Sequence, residues 1–346
     1  MLSRKIEEEL LRRLRSGKYA PGEELPSIRA MCREFGCSYV IACRVVQKLK
    51  QLGCVETVKG NGTYVTRDFQ RCLRKKLLIY VFGEERCDSL TPGNVVRYTT
   101  FQRMARQSSY MDLALRENEQ LSAGELDNLA GALITLNSAM MDELVARRIP
   151  CVFISSLDNP YGMPTVTPDF YQGSMLVMRH LIAAGARRIQ ALTIDGAAYN
   201  QGSYLPRLQA YRDAVDEAGL PVRPPLPWNI RNPENRSWLR ALMRSPDAPD
   251  AFYASNDKLA VELIHELNLL GLSVPGEVKV AGLENMDYLY DPLHPLTTAA
   301  YDNELLARTA CELLRQMIDN PGERPASVKI PMTLIKRVST LSAACA

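Results

Sequence analysis

Residues 38–65 read SYVIACRVVQKLKQLGCVETVKGNGTYV, and they decide the fold of the first part of this 346-residue chain. Ser38 is a good helix cap, and the apolar positions that follow it at helical spacing predict a helix that ends at Gly53. The positions available for its core face are Val40, Val45, Leu49 and Leu52. Two short β-branched runs then flank residues 60–62, whose glycines supply the positive φ angles of a hairpin turn. The stretch therefore predicts a helix followed by a β-hairpin with Lys59 near its tip.

Two further helices are predicted upstream. The first carries apolar residues at helical spacing, namely Ile6, Leu10, Leu11 and Leu14. The second lies in LPSIRAMCREFG (25–36), where Ser27 is the cap and Gly36 the terminator. Two helices joined by a tight glycine turn and followed by a hairpin are typical of a winged helix-turn-helix. In that motif the second helix lies in the DNA major groove, and the hairpin contacts the flanking backbone or minor groove.

The charge of the chain is divided unevenly. Residues 1–76 contain 17 Lys and Arg against 8 Asp and Glu, a net charge of +9, and the remaining residues carry a net charge of −6. A concentrated basic end favours a partner with phosphates, because neutralising them releases condensed counterions. Charge alone leaves open the alternative of a solvated charged helix.

Composition indicates a cytoplasmic globular protein. The chain is 46% hydrophobic and 23% charged, no apolar run has the length of a membrane span, and the N-terminus alternates charge and leucine instead of carrying a signal-peptide core. Nine cysteines are scattered without a CxxC pair, which favours free thiols over a zinc site. We therefore expect no metal, no cofactor and no membrane partner.

Residues 17–65 resemble the DNA-binding domain of the GntR family. The matching features are the PG..LPS.R stretch from Pro21, the FG.S turn from Phe35, the L...G helix end from Leu49 and the G.GT.V wing from Gly60. The resemblance implies that the wing approaches DNA closely and that Ser38 binds a phosphate through its backbone amide. It implies DNA contacts from Ser27, Arg29, Ser38, Tyr39, Arg44, Lys48, Lys59, Asn61, Gly62 and Thr63.

Three positions depart from the family pattern. Family members usually carry an arginine directly after the serine of the turn, then a threonine and often a second arginine, whereas this chain has Tyr39, Ile41 and Cys43. Base readout must therefore differ, with Arg44 and Lys48 as further sources of charge. The operator sequence of the family cannot be carried over.

From Leu77 onward, strand-like and helical stretches alternate. Apolar strand-like runs begin at Leu77, Ala132, Cys151, Ile189, Ala251 and Val278, with amphipathic helical stretches between them. This alternation predicts βαβ units and doubly wound parallel sheets in an α/β fold. About 260 residues suit two such units, and ligands of these folds bind beyond the carboxyl ends of the strands.

This region resembles the effector-binding domain of LacI and GalR repressors, which has the architecture of periplasmic sugar-binding proteins. The resemblance is carried by SNDKLAVELIHELNLLGLSVPGEVKVAGLENM (255–286), DFYQGSMLVMRHLIAAG (169–185), RLQAYRDAVDEAG (207–219), LTTAAYDN (296–303) and KRVST (336–340). A GntR-type reader joined to a LacI-type sensor is similar to the arabinose-repressor class of bacterial regulators.

The resemblance also implies domain limits. They are a winged-helix domain at 1–66, a basic linker at 67–76 and an effector-binding domain at 77–340. Lobe 1 of the effector-binding domain is expected at about 77–185 and 297–322, and lobe 2 at about 186–296 and 323–340.

Effector contacts are implied residue by residue. Arg207 matches the arginine that bonds sugar hydroxyls in the family, Asn256 and Asp257 follow a strand end, and Glu284 replaces the usual aspartate of a glycine-led turn. For Asp257 the alternative is a helix-capping role. Weaker candidates are Asp169, Gln172 and Tyr301, and the aromatic residues Phe82, Tyr204 and Tyr211 could stack on a sugar or belong to the core.

These expectations combine into a regulator. We expect a homodimer that binds double-stranded operator DNA. We do not expect an enzyme, because neither an HExxH motif nor a serine elbow surrounds His180, His265 and His294. A sugar is the expected effector, and the alternative is a nucleoside, a purine or a phosphorylated metabolite. The sequence does not decide whether the effector releases or promotes DNA binding.

Overall fold

The computed structural model describes residues 2–58, 60–67, 69, 76–81, 92–106, 111–116, 121, 126–135, 140–154, 159, 161–194, 202–229, 232–285, 296–320 and 322–341. The chain forms two compact units, the first made of 1–78, 105–114 and 122–130, and the second of 79–104, 115–121 and 131–346. The domain limits 1–66, 67–76 and 77–340 stay a prediction. The strand that begins at Lys76 takes in the last residue of the predicted linker.

The first unit begins with three helices and a hairpin. They are α1 (Leu2–Arg15), α2 (Ile28–Phe35), α3 (Tyr39–Gln51), β1 (Val55–Val58) and β2 (Gly62–Val65). β1 and β2 pair antiparallel, with Thr57 opposite Thr63. Residues 22–25 extend this ribbon on its other edge, since the Leu25 amide donates to the Thr63 carbonyl at 2.7 Å.

Local sequence explains where these helices begin and end. The Ser27 hydroxyl accepts from the Ala30 amide, and the Ser38 hydroxyl accepts from the Ile41 amide, so each caps its helix. Gly36 ends α2 at φ 60°. The predicted winged helix-turn-helix is confirmed.

The core of these helices comes from the predicted apolar faces, with one exception. Leu10, Leu14, Val45 and Leu49 are at most 1% exposed. The prediction that Val40 belongs to this core is wrong, because its side chain is 64% exposed. Val40 lies in the first turn of α3. Its neighbours Ile41 and Ala42 pack against the core that α3 shares with α1 and α2, but Val40 is not part of that core.

The rest of the described chain alternates strands and helices. The strands are β3 (Lys76–Val81), β4 (Met111–Arg116), β5 (Leu129–Ile134), β6 (Cys151–Ile154), β7 (Thr165–Pro168), β8 (Ile189–Ile194), β9 (Leu226–Trp228), β10 (Ala251–Ala254), β11 (Lys279–Ala281), β12 (Thr298–Tyr301), β13 (Val328–Ile330) and β14 (Met332–Ile335). The helices are α4 (Pro92–Arg106), α5 (Met140–Ala146), α6 (Phe170–Ala183), α7 (Tyr204–Glu217), α8 (Pro233–Met243), α9 (Asp257–Leu269), α10 (Asn303–Asp319) and a final 3-10 turn at Val338–Thr340.

These strands form three sheets. One has the order β13-β7-β6-β5-β3-β4, a second has the order β11-β10-β8-β9, and β12 and β14 form an antiparallel pair. Neighbours in the four-stranded sheet are parallel, as are β5, β6, β7 and β13 in the six-stranded one. The predicted α/β class with parallel sheets is confirmed. Among the described residues, no helix is both long and apolar enough to cross a membrane.

The predicted lobe limits need correction. Helix α6 was expected in lobe 1, yet Met178 and Leu181 share a core with Ile189 and Tyr253 of the four-stranded sheet. Strand β13 was expected in lobe 2, yet it pairs with β7 in the six-stranded sheet. The antiparallel β12–β14 pair joins the core of α6 through Ala299 and Met332. Sequence periodicity identifies a buried helix or strand but not the sheet that it packs on. The predicted lobe limits therefore place α6 and β13 in the wrong lobe.

The chain crosses between the two larger sheets at three places that lie close together. They are the turns after β7, after β12 and after β13. The Asp169 amide donates to the Ile330 carbonyl at 2.8 Å. The Gln172 side chain accepts from the Met332 amide at 2.8 Å and donates to the Met332 carbonyl at 3.0 Å. Gln172 therefore joins two of the crossing segments.

Candidate functional site

The first candidate surface is the outer face of α3. Ala42, Val45 and Leu49 are buried on the inner face, which leaves Tyr39, Val40 and Arg44 exposed on the outer face. The Tyr39 side chain is 60% exposed. An aromatic ring, an apolar side chain and a guanidinium on one helix face are groups that can contact phosphates and base edges. Val40 and the exposed Gln47 also lie on this face and were not among the predicted DNA contacts. The sequence pattern had placed Val40 in the core.

The other predicted DNA contacts surround this helix within the same unit. Ser27, Arg29, Ser38 and Asn61 are exposed, and Lys48 and Thr63 are partly buried. Lys59 lies outside the described residues. The predicted contacts on α2, α3 and the hairpin thus belong to one compact motif.

The tip of the hairpin depends on glycine. Gly62 has φ 137°, and a Cβ atom there would collide with the Glu24 carboxylate. The Tyr64 hydroxyl donates to the Asn61 carbonyl at 3.1 Å, which fixes the turn. Gly62 therefore serves the shape of the ribbon as well as its predicted close approach to DNA.

Some basic residues of the first unit are already paired. Arg13 contacts Glu9 at 2.8 Å and Glu34 at 2.5 Å. Hydrogen bonds from Arg12 and Arg13 lower the pKa of Glu9 to about 2, so its carboxylate stays charged at neutral pH. The Arg13–Glu34 pair joins α1 to α2.

The second candidate site lies at the carboxyl ends of the four-stranded parallel sheet. Arg207 projects from α7, its side chain is 1% exposed, and its guanidinium is bonded on three sides. Nε donates to the Ser203 carbonyl at 3.0 Å, Nη1 to the Ser255 carbonyl at 2.5 Å, and Nη2 to Glu284 Oε1 at 2.5 Å. Burial lowers the pKa of Arg207, but the charge and hydrogen bond of Glu284, together with Tyr204 and Tyr253, outweigh burial, so the pKa lies above its usual value. The guanidinium is therefore a fixed cation.

Two aromatic rings flank the guanidinium of Arg207. Its central carbon lies 3.8 Å from the centroid of the Phe170 ring and 4.9 Å from that of Tyr204. Both distances are within the range of cation–π contact. Tyr204 was a predicted aromatic candidate, whereas Phe170 was missed. The signal that could have found Phe170 is its place next to Asp169, directly after a strand.

Asn256 and Asp257 have separate tasks after β10. Asn256 caps α9 by accepting from the Leu259 amide at 2.9 Å, and its Nδ2 donates to the Tyr204 hydroxyl at 3.3 Å. Asp257 is fully buried and accepts from the Thr298 hydroxyl at 2.7 Å. Asp257 is thus not the helix cap that the alternative interpretation considered.

Glu284 reaches Arg207 from an unusual backbone conformation. Glu284 and the next residue, Asn285, have φ values of 99° and 60°, which are rare for residues other than glycine. The conformation is held by the Glu284 amide donating to the Ala299 carbonyl at 2.8 Å and by Arg337 donating to Asn285 Oδ1 at 2.8 Å. Such strain persists only where the surrounding structure imposes it, and it concentrates at functional positions.

The remaining predicted effector residues are structural or peripheral in this conformation. Asp169 caps α6, and the amide of Gln172 bonds the Met332 backbone. Tyr301 is partly buried in β12, which pairs with β14. Tyr211 is buried, stacks on Tyr253 and donates to the Ile189 carbonyl, so it belongs to the core. Phe82 lies outside the described residues.

Two buried hydroxyls lie at the carboxyl ends of adjacent strands, and one of them belongs to Ser255, whose carbonyl accepts from Arg207. Ser255 and Thr193 follow the paired residues Ala254 and Leu192 on adjacent strands, and their side chains are at most 1% exposed. Among the described residues neither hydroxyl has a hydrogen-bond partner. A buried hydroxyl without a partner costs about 1–3 kcal/mol, so a bound polar group there would be favourable.

Comparison with known families matches both parts of the chain. Residues 2–65 match the model of bacterial regulatory proteins of the gntR family, and residues 178–340 match that of a periplasmic binding protein-like domain. The predicted resemblance of the two parts to these families is confirmed.

Relatives and solved structures agree with this division. The arabinose metabolism transcriptional repressor of Geobacillus stearothermophilus is 25% identical over 347 residues, which cover 91% of this chain and 90% of the relative. The ribose operon repressor of Bacillus subtilis (strain 168) is 26% identical over 231 residues, covering 65% and 68%. A LacI family transcriptional regulator from Enterococcus faecium, solved with bound ribose, has 20% identity and a TM-score of 0.62, covering 76% of this chain and 98% of that one.

Proposed function

We propose that this chain, which joins a gntR-family DNA-binding domain to a periplasmic binding protein-like domain, is a transcriptional repressor whose effector is an uncharged sugar. The effector binds at the cluster formed by Arg207, Asn256 and Glu284, next to Phe170 and Tyr204. The protein acts as a homodimer on double-stranded operator DNA, because two winged-helix motifs related by a twofold axis can read a pseudo-palindrome.

The pairing of Arg207 with Glu284 carries the choice of an uncharged effector. The two charges lie within 2.5 Å, so the cation at the centre of the site is already neutralised. A phosphorylated metabolite brings its own negative charge and needs an unpaired cation or an uncapped helix N-terminus, whereas two helices that begin beside the site, α6 and α9, are already capped by Asp169 and Asn256. A polyol instead needs donors and acceptors in alternation, and the cluster offers a carboxylate, an amide and hydroxyls.

The aromatic rings add a second reason for a sugar. Phe170 and Tyr204 lie against the planar guanidinium of Arg207, and ring faces of this kind also pack against the apolar face of a sugar. The names of the relatives support the same class, since one is a repressor of arabinose metabolism and another a ribose operon repressor.

Regulation follows from the position of the cluster beside the crossing segments. Phe170 begins α6, two residues before Gln172, which bonds the Met332 backbone where the chain crosses between the sheets. The crossing segments connect the two larger sheets and can allow more than one arrangement of these sheets. A ligand bound at Arg207 and Phe170 therefore changes the relative stability of these arrangements. The two protomers then present their α3 helices at a spacing that depends on the ligand.

Selection from a random duplex library with the full chain tests this proposal. We expect an enriched pseudo-palindromic motif and an affinity for it that changes when arabinose or ribose is added. The matching 5-phosphates serve as the charged control for each sugar. Failure to enrich any motif would contradict the DNA-binding assignment, and a response to the phosphates alone would contradict the uncharged effector.

A further inference from the structure

Two cysteines lie at the turn that leads into α3. Helix α2 ends at Gly36, and the Cys37 amide donates to the Cys32 carbonyl at 3.2 Å. A bond of this span across a left-handed glycine is the mark of a Schellman motif, in which a contact between the side chains of the two bonded residues is frequent. Such a bond also keeps the two Cα atoms about as close as a disulfide requires.

The two thiols share one environment. Cys32 and Cys37 are both partly buried and pack against the same core as Met31 and Val45. Burial and the adjacent Cys37 thiol raise the pKa of Cys32, which agrees with direct contact between the side chains.

The effect of burial on the thiol is much stronger at two cysteines of the second unit than at Cys32. Burial raises the pKa values of Cys151 and Cys311 to about 12, so these two thiols hold almost no reactive thiolate at neutral pH. Cys32 and Cys37 combine partial exposure with a neighbouring thiol, which is the arrangement in which oxidation ends in a disulfide.

We propose that Cys32 and Cys37 form a redox modification site, where a peroxide joins the two thiols in a reversible disulfide that weakens DNA binding. The thiolate of one cysteine attacks a peroxide oxygen, which gives a sulfenic acid and water. The second thiol attacks that sulfur and releases a second water. Two thiols thus lose two electrons and two protons to one peroxide, and a dithiol reductant reverses the change.

The expected loss of DNA binding rests on the proposed function, and its structural reason is the position of Ser38, the residue after Cys37. Ser38 directly follows Cys37 and caps α3. Bond formation draws the two sulfur atoms from van der Waals contact to about 2 Å, so Cys37 moves towards α2. That movement displaces Ser38 and the first turn of α3, which carries the exposed Tyr39 and Val40.

The test uses the full chain and three serine variants. Wild type, Cys32→Ser, Cys37→Ser and Cys43→Ser are treated with hydrogen peroxide and digested with trypsin. Cleavage at Arg33 separates Cys32 from Cys37, so a disulfide appears as two linked peptides with a mass lower by about 2 Da than their sum. Because Cys43 lies on the same tryptic peptide as Cys37, the Cys43→Ser variant shows which of the two is linked.

We expect the linked peptides in wild type and Cys43→Ser, and their absence in Cys32→Ser and Cys37→Ser. On oxidation of wild type and Cys43→Ser, the affinity for the duplex obtained by selection should fall about tenfold or more, and dithiothreitol should restore it. A link through Cys43, no link at all, or a link without loss of affinity would overturn the proposal. If the reduced protein bound no duplex, the DNA-binding function itself would fail, and the peptide map would still decide whether the disulfide forms.

Discussion

Glu284 Oε1 lies 2.5 Å from Arg207 Nη2, although residue 284 has a φ of 99° that is rare outside glycine. The contact joins the turn after β11 to helix α7 at the carboxyl edge of the four-stranded sheet. Because Arg207 is buried, its charge depends on this carboxylate for compensation.

Glu284→Gln should therefore lower the free energy of unfolding by about 3 kcal/mol, because it leaves a buried charge without its partner. Urea denaturation measures the change. The matched control is Glu217→Gln, since the Arg179–Glu217 pair is exposed on both sides and should cost under about 1 kcal/mol. Equal losses in the two variants would mean that the Arg207 pair contributes no more than a surface pair.

Protonation of His180 should destabilise the protein in mild acid. Its Nε2 lies 2.7 Å from the Thr340 hydroxyl, and burial, with a smaller contribution from the charge of Lys336, lowers the pKa of the ring. Because the pKa in the folded state lies below the unfolded value of about 6.5, the stabilisation is present above that pH and is lost as pH falls through the folded pKa.

The measurement is the urea midpoint of wild type and His180→Asn from about pH 8 to about pH 5. We expect the difference between the two proteins to shrink as the pH falls. His265→Asn, at an exposed position of α9, is the control and should follow wild type. A constant difference across the range would show that His180 does not titrate in this way.

The number of phosphate contacts made by the first unit can be measured from the dependence of DNA affinity on salt concentration. Arg29→Ala and Lys59→Ala should each weaken binding to all duplexes and reduce the slope of log affinity against log salt by about 1, because each removes about one phosphate contact. Arg324→Ala, an exposed arginine of the second unit, is the control for lost surface charge. Unchanged slopes in both Arg29→Ala and Lys59→Ala would show that α2 and the hairpin do not contact DNA.

Tyr39 is the position where a substitution should change which bases are read. Tyr39→Arg should shift the selected motif towards guanine at one position in each half-site, since arginine bonds N7 and O6 of guanine together. Selection with wild type and variant in parallel measures this, and Gln51→Arg near the end of α3 is a comparison of equal charge. The same consensus from wild type and Tyr39→Arg would show that residue 39 does not face bases.

Sequence patterns anticipated those parts of the fold that are governed by local chemistry. Ser27 and Ser38 cap helices, Gly36 ends one, and Gly62 permits the hairpin tip, each through the property that identifies it in the sequence. The resemblance also implied that Arg207, Asn256 and Glu284, which come from three segments, belong to one site. In the structure Arg207 bonds Glu284, and Asn256 bonds Tyr204 beside them.

Long-range packing could not be read in the same way. Periodicity marked α6 as buried but could not say that it covers the four-stranded sheet, and Val40 fits an apolar face although its side chain is 64% exposed. Phe170 looks like an ordinary core residue, and only the geometry reveals its ring 3.8 Å from the guanidinium of Arg207. The bonds of Gln172 to Met332 join residues far apart in the chain, which no local pattern can indicate.

Calorimetry with uncharged and phosphorylated aldopentoses, on wild type and Arg207→Ala, measures whether the site at Arg207 binds an uncharged sugar. We expect wild type to bind arabinose or ribose and to reject the 5-phosphates. Arg207→Ala should lose about 2–4 kcal/mol of sugar affinity, on the order of 30-fold to 1,000-fold, because a buried donor fork is removed. Its circular dichroism and its sugar-free affinity for the selected duplex should match wild type, which separates a binding defect from a folding defect. Undiminished sugar affinity in Arg207→Ala would remove Arg207 from the effector site, and binding of the phosphates alone by wild type would contradict an uncharged effector.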